Sequence, residues 1–214
     1  MPVEFPRDHN EPWCMMPTQQ RSYTRFTRVS GPTIVRSITG LELVALLPDL
    51  AELFEETVNG GSPLGFLAPI THATSRGYWI SLVRELESGS RLLLVAYNEN
   101  VVVGSGQLSL SQRSNSPHRA ELEKLFVERA SRGRGIGRTL MRALHDAAKQ
   151  KGRTLIRLST RHGEPAEEFY KSLGYREVGV IPGWTIDRSG ERYDHVELCR
   201  DLTREGADRD YGNV

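Results

Sequence analysis

Cysteine is almost missing from this 214-residue chain: Cys14 and Cys199 are the only two, far apart. That is too few for a disulfide framework and points to free thiols in a cytoplasmic protein. No apolar run approaches the roughly 20 residues needed to cross a bilayer. The N-terminal stretch, with Pro2, Glu4, Pro6 and Asp8, lacks the basic-then-apolar layout of a signal peptide. Charge of one sign is also scarce. Lys and Arg number 28 against 27 Asp and Glu, a net charge of +1, so no global field draws nucleic acid or an anionic membrane. Internal repeats and low-complexity tracts are absent. So are the GxGxxG turn of dinucleotide folds and the GxxxxGK[ST] phosphate loop. No metal-ligating set is assigned.

What is present suits one globular domain of ordinary composition, 38% hydrophobic and 26% charged. Residues 1–30 mix proline, glutamine, serine and arginine, with Trp13, Tyr23 and Phe26 at no regular period, and read as a partly disordered N-terminal extension. The folded domain is expected over 31–203, followed by a polar tail over 204–214. TIVRSIT from Thr33 reads as a strand. Two helical segments follow, Leu41 to Leu47 and Asp49 to Val58, broken near Pro48. The apolar loop SPLGFLAPITHAT offers Phe66, Leu67 and Ile70 either to the core or to the lip of a substrate pocket. A helix is expected from Ser75 to Glu87. RLLLVAYN and VVVGSGQLSL then flank Glu99-Asn100 as a hairpin, in which Gly104 and Gly106 invite close approach by a ligand or another backbone. After a further strand come a helix over 136–151, a strand over 154–160 and a helix over 165–173. The strand YREVGVI, the turn-rich loop IPGWTIDRSGER and the strand YDHVELCRDL complete the domain. This order is that of an α/β fold, with parallel crossovers in its C-terminal half on an otherwise antiparallel sheet.

The chemistry concentrates between Ala120 and Met141, AELEKLFVERASRGRGIGRTLM, where an apolar alternating strand runs through an arginine-glycine loop into a periodic helix. A helix start leaves its first N–H groups unpaired and carries a partial positive charge, so it attracts anions. Gly133, Gly135 and Gly137 let backbone N–H groups approach phosphate oxygens, and Arg132, Arg134 and Arg138 add forked donors. An arginine stripe for nucleic acid is disfavoured, because neither interleaved aromatics nor a basic balance accompanies it.

The spacing Arg132-x-x-Gly135-x-Gly137 between strand and helix resembles the acyl-CoA pyrophosphate loop of the GCN5-related N-acetyltransferases (GNAT). AEEFYKSLGY, residues 166–175, resembles that family's alanine, aromatic-tyrosine and glycine-aromatic segment. The likeness covers about residues 33–202. Within the family, the run from ELEKL through RGRGIGRTLM, PAEEFY and LGYREVGVIPG is most similar to tabtoxin-resistance-type acetyltransferases, which act on a small antimetabolite.

The resemblance implies a mixed sheet of six to seven strands with helices on both faces, and direct transfer of an acetyl group from acetyl-CoA to an amine. The pyrophosphate would lie against Arg132, Gly133, Arg134, Gly135, Ile136, Gly137 and Arg138, and the pantetheine arm along Leu125, Phe126 and Val127. Glu121 matches a position where some family members carry a catalytic glutamate, so it is the candidate base. Glu123, on the same face, shares with it the alternative of being a solvated strand residue. His118 and Glu164 are fallbacks, with His162 also near a matched motif. Tyr170 is the expected general acid toward the departing CoA thiolate; helical spacing alone would place it in the core with Ala166, Phe169 and Leu173. Loops around Phe66, Trp79 and Trp184 are expected to wall a compact pocket. Ser159 replaces an aspartate of the tabtoxin-resistance pattern, and Gly163 a common family asparagine. The implied acceptor is a small molecule, in self-resistance or antibiotic tailoring, handled by a monomer or homodimer without nucleic acid or membrane. Protein N-terminal or lysine acetylation, and non-catalytic acyl-CoA binding, are the alternatives.

Overall fold

The computed structural model describes residues 31–62 and 64–204. The expected extension over 1–30 and nearly all of the expected tail lie outside the described residues. β1 (Thr33–Ser37) leads into α1 (Gly40–Asn59), which Thr39 and Glu42 start with a reciprocal capping box. α1 is one helix of 20 residues, not two broken near Pro48. Proline removes one helical hydrogen bond and costs about 3 kcal/mol in a helix interior. Pro48 lies on the exposed face, where water can take up the carbonyl of Val44. The opposite face buries Leu43, Leu47, Leu50, Leu53, Phe54 and Val58, each worth about 1.5–3 kcal/mol, so burial outweighs the break.

The single helix expected from Ser75 is instead two, α2 (His72–Ser81) and α3 (Val83–Glu87), with Thr71 capping the first. β2 (Arg91–Asn98) and β3 (Val101–Leu110) form the expected hairpin, with Glu99 and Asn100 both at positive φ, 48° and 66°. β4 (Arg119–Val127), α4 (Ile136–Gln150), β5 (Leu155–Arg161) and α5 (Pro165–Lys171) follow. β6 (Arg176–Ile186) and β7 (Arg192–Asp201) close the chain. Much of the loop expected at IPGWTIDRSGER is therefore strand, and only 187–191 turn. β6 tolerates Pro182 and Gly183 because it is the sheet edge and its register with β7 shifts between Ile181 and Thr185.

The sheet has seven strands in the order β1-β2-β3-β4-β5-β7-β6. β4 and β5 are parallel neighbours, joined through α4. The second crossover, β5–α5–β6, spans β7, which inserts antiparallel between its strands. α4, through Leu140 and Leu144, and α5 pack on one face over Leu108, Leu122, Ile156 and Leu198. α1, α2 and α3 cover the other face of the N-terminal half, over Leu93, Val95, Val102 and Phe126. The close approach at Gly104 and Gly106 is made by protein: a β-carbon there would come within 2.8 Å of the Phe126 carbonyl oxygen or a Leu144 methyl.

Candidate active site

The parallel ladder between β4 and β5 is short, pairing Arg119–Glu121 with Leu155–Arg157 and no further. Past it, β4 stays with β3 and β5 with β7, so the sheet splits down its middle. A bulge deepens the split. The β3–β4 register passes from Gln107↔Glu123 to Ser105↔Phe126, and Lys124 in this interval takes φ +49°. The split leaves the β5-facing edge of Leu125–Val127 without a strand partner, which suits an extended amide-bearing arm.

A cleft of about 1000 Å³ fills the split, walled by β4, β5, Tyr170, the loop over 64–68 and the β6–β7 hairpin. At one rim the Arg132 guanidinium donates to the Val127 carbonyl at 3.0 Å and to Ser62 Oγ at 3.4 Å, tying the arginine-glycine loop to the cleft. Gly133 and Gly135 sit at φ +76° and +79°, and Gly135 begins α4 with no side-chain cap. The N-terminal N–H groups of α4 are thus presented for an anion. Gly137 lies in the first turn of α4, and a β-carbon there would make ordinary contact with the Phe169 ring at 3.4 Å. Arg138 donates to Ser172 Oγ at 3.1 Å, bracing α4 against the end of α5.

The acid–base candidates divide. Tyr170 is buried yet lines the cleft, and burial alone pushes its phenol well above the usual range. Glu121 also lines the cleft and is held by Arg157 at 2.7 Å, a guanidinium that reaches Glu197 on its other side at 3.0 Å. Glu123 is tied at 3.0 Å to Arg91, inside a buried network with Gln107 and Tyr78. Among the fallbacks, Glu164 lines the cleft. His162 is turned to Glu167 at 3.1 Å, and His118 is an exposed residue outside the cleft walls.

Of the expected substrate contacts, Phe66, Ser159 and Trp184 line the cleft, and Trp79 does not. Trp79 is fully buried, packed edge-on to Phe54, with its indole N–H bonded to the Leu50 carbonyl at 3.1 Å. Helical spacing from Thr71 turns it inward, so it is a core residue. Four cleft residues carried no sequence signal: Lys124, Arg161, Arg188 and His195. His195 lies between Ser159 Oγ (3.0 Å from Nδ1) and Thr185 Oγ1 (3.1 Å from Nε2). Burial, then the Arg161 charge, pulls its pKa below the usual imidazole value. These contacts join β5, β6 and β7, and no motif records such a meeting.

A sheet split beside a glycine-rich helix start offers an anion seat next to an open strand edge. The match to the acetyltransferase (GNAT) family covers residues 59–175, more than half the chain, and the chain belongs to that family. An uncharacterized N-acetyltransferase of Methanocaldococcus jannaschii is 41% identical over 66 residues, 30% of this chain and 29% of that protein's length. An uncharacterized N-acetyltransferase from the hisH–hisA intergenic region of Azospirillum brasilense is 30% identical over 117 residues, 54% of this chain and 68% of that protein. Among solved structures, YncA of Salmonella typhimurium with its cofactor acetyl-CoA superposes with a TM-score of 0.63 at 17% identity, over 83% of this chain and 98% of that one. At that identity the likeness speaks for the fold.

Proposed function

We propose that this acetyltransferase moves the acetyl group of acetyl-CoA directly onto the amine of a small molecule, in the manner its resemblance to tabtoxin-resistance-type enzymes suggests. The domain over 31–203 carries the whole site in this reading. The observation that carries the small-molecule acceptor is Arg188. From the β6–β7 turn its guanidinium donates to the carbonyls of Pro69 at 3.0 Å and Leu67 at 3.5 Å, strapping the two loops together across the cleft. A polypeptide acceptor needs those loops to stand apart as a groove.

The pyrophosphate of acetyl-CoA rests on Arg132–Arg138 and its pantetheine arm adds to the free edge of Leu125–Val127, bringing the thioester to the mouth of the split. An amine of pKa about 10 is only about one part in a thousand neutral at pH 7, a handicap near 4 kcal/mol. Glu121, positioned by Arg157, receives that proton. The neutral nitrogen then attacks the thioester carbonyl, the C–N bond forms and the C–S bond breaks. The surplus N–H proton passes to the departing CoA sulfur, so the products are the neutral amide and CoA thiol, and Glu121 returns its own proton to water. Tyr170 stays protonated across the neutral range and gives the thiolate a hydrogen bond. Because the phenol holds its proton more tightly than a thiol of pKa about 8.5, its main contribution is this bond. Phe66 and Trp184 wall the acceptor, with Ser159 on its floor. Release of CoA thiol over a panel of amines tests the reading: turnover of small amines supports it, and turnover confined to peptides or to none contradicts it.

A further inference from the structure

We propose that the acceptor carries a carboxylate beside its amine, and that Arg161, at the cleft end of β5, is the seat for that anion. The inference rests on the acetyltransferase reading above and narrows its acceptor.

Arg161 is held ready rather than spent. Its guanidinium carbon lies 3.8 Å from the centre of the Tyr193 ring, which fixes the plane of the fork and leaves its N–H edges to in-plane partners. The side chain is 19% exposed, yet its carboxylate contact is Glu164 at 3.4 Å, longer than the 2.7–2.9 Å typical of a charge-assisted bond. Its Nε is buried with no hydrogen-bond partner among the described residues. That atom is shielded from the cleft, so a ligand oxygen would meet the exposed part of the fork, whose carboxylate contact among the described residues is the long one to Glu164.

The remaining charges of the cleft point the same way. Glu123 is taken by Arg91, while Glu121 shares Arg157 with Glu197 and stays open to the acceptor amine. Asp187 accepts bonds from Ser189 and Tyr193, which hold its carboxyl below the usual range. On the opposite wall Lys124 has no carboxylate within ion-pair distance among the described residues, and its ammonium lies 5.6 and 5.7 Å from the Phe66 and Tyr78 ring centres. Among the described residues the cleft lining therefore holds three cations without a close carboxylate, Lys124, Arg161 and Arg188, and Arg188 is already spent on the Leu67 and Pro69 carbonyls. A plain amine entering as ammonium brings no acceptor for the Arg161 fork. An amino acid brings its own anion to Arg161 and its ammonium toward Glu121, and the difference sets specificity.

The test uses the full chain, acetyl-CoA and matched acceptor trios: serine, methionine, phenylalanine and glutamate, each as the free α-amino acid, its primary amide and its decarboxylated amine. The expected result is a kcat/KM about tenfold to a hundredfold higher for at least one free acid than for its two analogues, the worth of a charge-assisted bond. Arg161→Ala should bring that ratio toward one, and Arg161→Lys should keep part of it. Tyr193→Leu, which removes the platform but not the charge, should shrink it several-fold. Melting with CoA present reads binding without turnover: the preferred acid should raise the melting temperature of the wild type and not of Arg161→Ala. Equal or better turnover of amides and decarboxylated amines overturns the carboxylate seat and leaves the acetyltransferase reading standing. So does an Arg161→Ala variant that binds CoA normally but slows every acceptor in equal proportion. No thiol release with any acceptor overturns both.

Discussion

Burial decides what Tyr170 can contribute. With its phenol held protonated well past neutrality, it can only donate, which suits a developing thiolate. Tyr170→Phe should lower kcat about a hundredfold while acetyl-CoA affinity, measured by titration calorimetry, stays within a few-fold of wild type; an unchanged kcat would remove Tyr170 from the mechanism. His145 makes a prediction away from the site. Its ring sits between Tyr175, 2.9 Å from Nε2, and Arg200, 3.3 Å from Nδ1, and burial with the Arg200 charge lowers its pKa to about 4. The unfolded chain takes up that proton near pH 6.5, so between pH 6.5 and 4 unfolding is favoured. Chemical denaturation should show about 2–3 kcal/mol of stability lost over that interval. His145→Phe should flatten this part of the profile. At this scale the sequence was uneven. Tyr170 was legible because it belongs to a local segment, AEEFYKSLGY, in which spacing and type recur together. Arg161, Lys124 and His195 were not, because what marks them is an unpaired donor, a bulge and a chain of hydroxyls, and each is created by strands distant in sequence.

Among the elements, the start of α4 carries the proposed cofactor seat most directly. Gly135 at φ +79° opens the helix without a side-chain cap, and a β-carbon there would meet no neighbour. Gly135→Ala therefore isolates conformational strain, about 1–2 kcal/mol in the left-handed region. It should weaken acetyl-CoA binding about tenfold, read by calorimetry, with α4 still folded by circular dichroism. The strand, loop and helix around it were readable because caps, glycines and periodicity are local. Pro48 and the long β6 were misread for the complementary reason. The burial of six side chains along α1 outweighs a proline, and pairing with β7 carries β6 through Pro182-Gly183. Tertiary contacts made both decisions.

For the molecule as a whole, the proposed function rests on the sheet failing to stay closed. Seven strands and two packed faces make the frame, and the split between β4 and β5 opens it near its middle. The order of elements predicted the frame, but the depth of the split depends on a register shift at Lys124 and Leu125 that no composition reveals. No helix among the described residues is long and apolar enough to cross a membrane. Arg188 closes the far side of the cleft, and Arg188→Ala should raise KM for small acceptors about tenfold. Its acetyl-CoA affinity should stay within a few-fold, because Arg188 lies outside the Arg132–Arg138 loop. The most direct measurement pairs CoA thiol release with mass detection of the N-acetylated product, using acetyl-CoA and a panel of small amines alongside peptides. The account predicts equal amounts of thiol and acetylated small amine, with peptides turned over far more slowly. Thiol release without acetylated amine, or acetylation confined to peptides, would contradict it.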